Sequence, residues 1–209
     1  MVINELGFKA SGNDEIRVNG ELIQKEEKVV YLLNKPKNVI SSASDDKGRV
    51  CVVDLIDTNY RLYPLGRLDY DSTGLILLSN DGELMQKLIH PKFEVEKTYE
   101  VTIDGLIKDD EIKKLENGVK IDDYISAKAI INLVNQNKNK YTSSLTVTIH
   151  EGRNREIRKM FATQGYKVTR LHRVKEANIE LGNLKSGEYR RLKPHELVIL
   201  KQYLDGINR

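Results

Sequence analysis

The spacing of apolar positions changes along the chain, and each change marks an element. Val29-Val30-Tyr31-Leu32-Leu33 and Leu75-Ile76-Leu77-Leu78 are unbroken apolar runs, the pattern of strands buried on both faces. The second run sits in a strand predicted over Gly74 to Ser79. Thr98 to Ile103 alternates apolar and polar residues like a half-buried strand, and Ser144 to Ile149 also reads as a strand. Leu62 to Leu65 and Lys167 to Val174 are predicted as strands too, with shorter ones after the latter. Helices are predicted over Glu83 to Ile89, following the turn Asn80-Asp81-Gly82 and stopped by His90-Pro91, and over Lys108 to Glu116, ended by Asn117-Gly118. A third runs from an Asn154 cap to about Thr163 and is closed by Gly165. Ile157 and Phe161 share its apolar stripe, with Met160 beside them, and Arg155 and Arg158, three positions apart, point the same way. Pro194 opens a last helix carrying Leu197, Val198 and Leu200. Between these elements lie a loop from Asn34 to Gly48 and a polar turn from Asn135 to Lys140. Near the start, Glu15 to Val18 alternates before Asn19-Gly20, a hairpin turn signal.

Strands joined by short turns and interspersed with helices predict a mixed α+β sheet, not a doubly wound parallel one. There is no internal repeat and no low-complexity segment. A length of 209 residues with 39% hydrophobic content suits one large domain, or one domain plus a small appendage. No apolar run is long enough to span a bilayer, and Met1 to Ala10 lacks the layout of a signal peptide. The single cysteine, Cys51, excludes an internal disulfide and a thiolate metal cluster, and a reducing cytoplasm is the expected location. His90, His150, His172 and His195 are far apart in sequence, so no metal site is expected. The net charge of +3 conceals an asymmetry. From Glu151 to Lys175 the cations are Arg153, Arg155, Arg158, Lys159, Lys167, Arg170, Arg173 and Lys175, against only Glu151 and Glu156, and Arg190, Arg191 and Lys193 follow. Such a segment reads either as a polyanion-binding face or as a solvated helix face.

Candidate chemistry concentrates in Gly66-Arg67-Leu68-Asp69-Tyr70-Asp71-Ser72-Thr73-Gly74, a turn between strands. Asp69, Asp71, Thr73 and Gly74 fall at the first, third, fifth and sixth positions of a calcium loop. The twelfth position, however, is Asn80, which supplies no bidentate carboxylate. Asp71, Ser72 and Thr73 suit backbone-bonded turn positions. Asp69 reads either the same way or as a catalytic carboxylate kept ionised by a cation such as Arg67. Spacing leaves both open. A glycosidase pair is disfavoured, because Asp69 and Asp71 are neighbours on one turn and do not flank a sugar.

Gly66-Arg67-Leu68-Asp69, continued by Thr73 through Leu84, resembles the signature of the RsuA/RluB family of rRNA pseudouridine synthases. Leu33-Asn34-Lys35-Pro36 resembles that family's first motif, and Glu96-Lys97-Thr98-Tyr99 the segment carrying its active-site tyrosine. His150 through Phe161 resembles its last motif. The resemblance implies the pseudouridine synthase catalytic fold over residues 29–209, a mostly antiparallel mixed sheet flanked by helices with the active-site cleft across it. It also implies that residues 1–28 are the remnant of an amino-terminal RNA-binding module of the alpha-L type. By the same resemblance Asp69 is the nucleophile, Arg67 the arginine that displaces the target base, and Arg158 the arginine that pairs with Asp69. Tyr99, otherwise a core tyrosine, is assigned the proton on C5 of the base. Ile157 packs in the core or against the uracil. Lys35 either supports the site, contacts a phosphate, or is a solvated loop lysine. Arg153, Arg155, Lys159, Arg170 and Arg173 are expected to grip phosphates. The expected partner is ribosomal RNA, the large-subunit species before the small, acted on by a monomer without a cofactor. The competing reading is a non-catalytic RNA-binding or ribosome-assembly factor on the same fold.

Overall fold

Leu75, Ile76, Leu77 and Leu78 are all fully buried, and alternate between two hydrophobic cores. Each such side chain contributes roughly 1.5–3 kcal/mol on burial. An unbroken apolar strand is stable only between two covering layers, and that requirement organises the molecule.

The computed structural model describes residues 14–22 and 26–206. In chain order, the hairpin β1 (Arg17–Val18) and β2 (Glu21–Leu22) precedes β3 (Val30–Lys35). A 3-10 turn at Val52–Leu55 lies in the connection to β4 (Tyr63–Leu65) and β5 (Thr73–Ser79). Helix α1 (Gly82–Ile89) and a 3-10 turn at Pro91–Phe93 lead into β6 (Lys97–Asp104) and helix α2 (Asp109–Glu116). The small hairpin β7 (Lys120–Ile121) and β8 (Tyr124–Ile125) is followed by the long hairpin β9 (Ile130–Asn137) and β10 (Thr142–Ile149). Helix α3 (Glu156–Ala162), β11 (Lys167–Glu176), β12 (Ile179–Glu180), β13 (Tyr189–Arg191) and α4 (Pro194–Gly206) complete the order.

The main sheet runs β13-β3-β5-β11-β6-β10-β9, with β12 beside β11 and β4 beside β5. Its pairs are antiparallel except β5 with β11. One core packs Ile76, Leu78 and Val101 against Ile112 and Leu115 of α2 and Met160 and Phe161 of α3. The other packs Leu75 and Leu77 against Leu84 and Leu88 of α1 and Leu200 and Leu204 of α4. The α+β architecture with flanking helices is thus as expected. Among the described residues no helix is long and apolar enough to cross a membrane.

Three local readings change. β3 runs on through Asn34 and Lys35, which were expected in the loop. β9 was unforeseen, and the polar stretch Asn135 to Asn137 belongs to its ladder, opposite Ser144, Ser143 and Thr142. It is an edge strand, where polar residues are well tolerated because one flank faces solvent. Asn154 does not cap α3. Arg155 adopts a left-handed backbone (φ 54°) and the helix starts at Glu156, so Arg155 and Arg158 do not share a helical stripe. Residues 1–13 and 23–25 of the expected amino-terminal module lie outside the described residues. The hairpin at Asn19-Gly20 forms as predicted, both residues having positive φ.

The cleft originates at β5. One edge of β5 pairs with β3 along its length. The other edge meets β11 only at Thr73 and Gly74, and meets β4 at Leu77 to Ser79. The sheet opens where the neighbour changes, and the Gly66–Ser72 turn occupies the opening. Gly74 has φ 108°, and a Cβ built on it would lie 2.2 Å from the Arg173 carbonyl oxygen, so only glycine permits this close approach of β11.

Candidate active site

The acidic turn is pinned from behind by buried polar groups. Lys35 is fully buried. Its Nζ donates to the carbonyl oxygens of Pro36 at 3.0 Å, Asp69 at 3.2 Å and Ser72 at 2.9 Å. These three acceptors use all three of its protons. Burial brings the Lys35 ammonium down to about 8, while the carboxylates of Asp71 and Asp69 act in the opposite sense. A phosphate contact or a solvated position is therefore corrected: Lys35 shapes the turn from the inside. Ser41 Oγ donates to the Leu68 carbonyl at 2.8 Å and accepts from the Leu68 N–H at 3.0 Å. The Asn38 N–H donates to the Tyr70 carbonyl at 2.9 Å.

Two arginines face the turn. Arg158 Nη2 lies 3.0 Å from Asp71 Oδ2, and Arg158 Nη1 donates to the Val168 carbonyl at 2.9 Å. Arg155 Nη1 lies 3.3 Å from Asp71 Oδ1 and 3.7 Å from Asp69 Oδ2. The expected Arg158–Asp69 pair is thus replaced by Arg158–Asp71, and the cation beside Asp69 is Arg155. The left-handed Arg155 backbone is the cause, since it turns that side chain off the helix and towards the turn. Asp71, read from sequence as a turn residue, is the anchor of both arginines.

The turn, the His90–Val95 connection and the loop before α3 enclose a cleft of about 900 Å³. Tyr99, Ile157 and Arg173 line it together with Asp69, while Ile157 also belongs to the core. Burial pushes the Tyr99 phenol up, and the adjacent Arg173 guanidinium pulls it part of the way back. Arg173 is itself 1% exposed, and its Nε donates to the Leu75 carbonyl at 2.7 Å. Its expected phosphate contact is corrected, because the guanidinium is inside the protein under the cleft.

Arg67 lines the cleft mouth, is exposed, and has no ion pair among the described residues. Arg153 also lines it, stacked over the Tyr124 ring at 4.2 Å and 3.2 Å from Glu151. Lys159 pairs with Asp122 at 2.7 Å and Arg170 with Glu100 at 3.1 Å, both at the surface outside the cleft lining. Lys97, Glu156 and Glu176 line the cleft and were not singled out from sequence. For Lys97 a signal existed, since it lies two residues before Tyr99 on one strand and must share its face. Burial and the nearby Glu151 push Glu156 up to about 7.

Residues 29–163 match the family of RNA pseudouridylate synthases. The ribosomal large subunit pseudouridine synthase B of Bacillus subtilis is 45% identical over 98% of this chain and 84% of its own length. The dual-specificity RNA pseudouridine synthase RluF of Salmonella typhi is 35% identical over 96% of this chain and 68% of its own. A crystal structure of a pseudouridylate synthase superposes with a TM-score of 0.73 at 32% identity, covering 92% of this chain and 83% of the other. The same segments that carry the motifs build the cleft, and on that agreement of sequence, fold and site the chain belongs to the RNA pseudouridylate synthases, isomerases that convert uridine to pseudouridine.

Proposed function

We propose that this chain isomerises a uridine of large-subunit ribosomal RNA, with Asp69 as its nucleophile. The observation that carries the reading is the placement of Asp69. Its carboxylate is at the cleft wall beside Arg155, on a turn held by the buried Lys35, above a floor that contains Tyr99. The name of the Bacillus subtilis relative supports the choice of RNA.

In the reaction the bond from N1 to C1′ breaks and a bond from C5 to C1′ forms. The C5 proton is lost and N1 gains one, so nothing is oxidised or hydrolysed. Asp69 supplies the carboxylate that carries the fragment between the two bonds, and Tyr99 is assigned the C5 proton. The target base must leave its stack, which costs a few kcal/mol. Arg67, exposed and without an ion pair among the described residues, fills the vacated space in this reading. Arg153, Arg155, Lys159 and Arg170 grip phosphates, and the last two exchange exposed carboxylate partners for them. Four such contacts predict that log K for RNA falls with log salt with a slope of about −3, and that Arg170→Ala removes a little under one unit of it. Filter binding from low to high salt checks this, and a flat response would remove the basic face from the model of binding.

The decisive assay is tritium release from transcripts labelled at uridine C5. Release from the large-subunit transcript and not from the small-subunit one is the expected result. Release from the small-subunit transcript alone would reassign the substrate. No release from either would favour a non-catalytic RNA-binding role.

A further inference from the structure

Beneath the cleft, β11 departs from the regular ladder. Its register against β6 shifts between Arg173 and Lys175, so that Arg173 lies opposite Tyr99, Lys175 opposite Thr98 and Glu176 opposite Lys97. Val174 is the extra residue, and its carbonyl accepts from the Leu181 N–H at 2.9 Å. In a regular strand residues three apart point to opposite faces. An inserted residue reverses that, and bulges beside active sites re-aim side chains in this way. Here the bulge puts Arg173 and Glu176 on one face together with Tyr99 and Lys97, as two cross-strand pairs, and all four line the cleft.

Three of the four are buried, and Lys97 is half-buried. Arg173 and Glu176 are each 1% exposed, with Nη2 and Oε2 3.3 Å apart. Glu176 Oε1 lies under the acidic turn, 3.9 Å from where a Cβ on Gly66 would be. Lys97 Nζ donates to the Val95 carbonyl at 3.0 Å, and the Glu176 carboxylate acts on that ammonium as well. Among the described residues, neither Arg173 Nη2 nor Glu176 Oε2 makes a hydrogen bond of good geometry. The guanidinium is thus held by its Nε bond to Leu75, by a hydrogen-bonding contact with the Tyr99 hydroxyl, and by the charge of Glu176.

We propose that Glu176 is a positioning residue of the isomerisation: its carboxylate holds the Arg173 guanidinium against the Tyr99 hydroxyl and so fixes how that hydroxyl meets the base. The role of Tyr99 in this proposal rests on the functional reading above. Two cations, the buried Arg173 and the half-buried Lys97, face the Glu176 carboxylate, and removing it leaves Arg173 next to the phenol without an ion-pair partner among the described residues. The charged groups acting on Tyr99 are Arg173 and Glu176 from β11 and Asp69 from the turn, with Lys97 two residues away on β6. Across β6 from the other side stands the apolar Val147. With Glu176 gone, Arg173 stabilises the phenolate unopposed, and the Tyr99 phenol is expected to ionise at lower pH.

The test is Glu176→Gln in the full chain, with two readouts. The first is the ¹³Cζ-tyrosine NMR titration of the free protein, with the Tyr99 signal assigned through Tyr99→Phe. The second is turnover against pH on the labelled large-subunit transcript. The expected result is a Tyr99 midpoint moved to lower pH, a kcat reduced by roughly 10- to 100-fold at its plateau with KM little changed, and the rising limb of the kcat profile, which the deprotonated phenol sets, shifted to lower pH with it. An unmoved Tyr99 midpoint overturns the proposal even if activity falls, because a merely structural role would also lower activity. A moved midpoint with unchanged kcat overturns it equally. If Glu176→Gln does not fold, Glu176→Asp takes its place. It keeps the charge but withdraws it, so a Tyr99 midpoint and kcat both like wild type in that variant would overturn the positioning role. Absence of wild-type turnover on either ribosomal transcript would refute the substrate reading, while the NMR titration would still decide the coupling.

Discussion

Asp69→Asn is expected to lower kcat by at least about 10⁴-fold, as removal of a nucleophile does, while leaving RNA affinity within a few-fold of wild type. The structure makes this substitution unusually clean. Lys35 and the Ser72 N–H bond to the Asp69 carbonyl oxygen, not to its carboxylate, so the turn keeps its supports when the side chain changes. Arg155 and Arg158 keep Asp71 as a partner. The other arginines proposed to grip phosphates, and Lys159 with them, have no part in the turn's supports and stay where they are. A loss of turnover in Asp69→Asn therefore reads the chemistry and not the scaffold. Single-turnover tritium release paired with filter binding makes the comparison. Residual turnover near wild type would sink the assignment, and a parallel collapse of RNA binding would show that the carboxylate organises the RNA surface.

Gly74→Ala is expected to destabilise the fold by about 3–5 kcal/mol, combining a backbone clash with a strained φ. The new methyl would meet the Arg173 carbonyl oxygen at 2.2 Å and the Arg173 nitrogen at 2.6 Å, both backbone atoms of a central strand that cannot swing aside. Relief requires β11 to move off β5, and Arg173 is the residue opposite Tyr99. Activity should consequently fall further than stability alone accounts for, even at temperatures where the variant stays folded. Gly182→Ala is the control. Gly182 has φ 61°, but a Cβ there meets nothing within 4 Å, so only the left-handed strain of about 1–2 kcal/mol is expected. Urea unfolding of the three proteins separates the terms. Equal midpoints for the two alanine variants would show that β11 is free to yield and that the close approach at Gly74 does not constrain the cleft.

Comparing the two arginines of the last motif shows where local reasoning reaches its limit. From sequence, an Asn154 cap puts Arg155 and Arg158 on one helical face. In the structure Arg155 stands outside the helix in a left-handed conformation, yet both guanidinium groups still reach Asp71, 84 positions away for Arg155. Convergence on one carboxylate came about by a route that periodicity does not describe. The same holds for Lys35. A lysine between Asn34 and Pro36 looks like a loop residue, and it is buried because the turn carbonyls of Pro36, Asp69 and Ser72 converge on its ammonium.

What the amino-acid order determined alone were the properties set by neighbours along the chain. The unbroken run Leu75 to Leu78 demanded two covering layers, and α1 and α4 on one face and α2 and α3 on the other provide them. Asp81 ahead of an amphipathic stretch dictated the start of α1, where its carboxylate accepts the N–H groups of Glu83 and Leu84. The motifs around Asp69, Tyr99 and Arg158 identified the family, and segments that carry them line the cleft. Tertiary structure alone decided which charge meets which. The split neighbours of β5 opened the cleft, and the bulge at Val174 turned Arg173 and Glu176 to one face, so Arg173 became a buried partner of Tyr99 instead of a phosphate contact. The physical reason is that pairing register and burial depend on strands distant in sequence. A one-residue insertion in a ladder reverses the face of every side chain beyond it, and no local pattern encodes where that insertion falls.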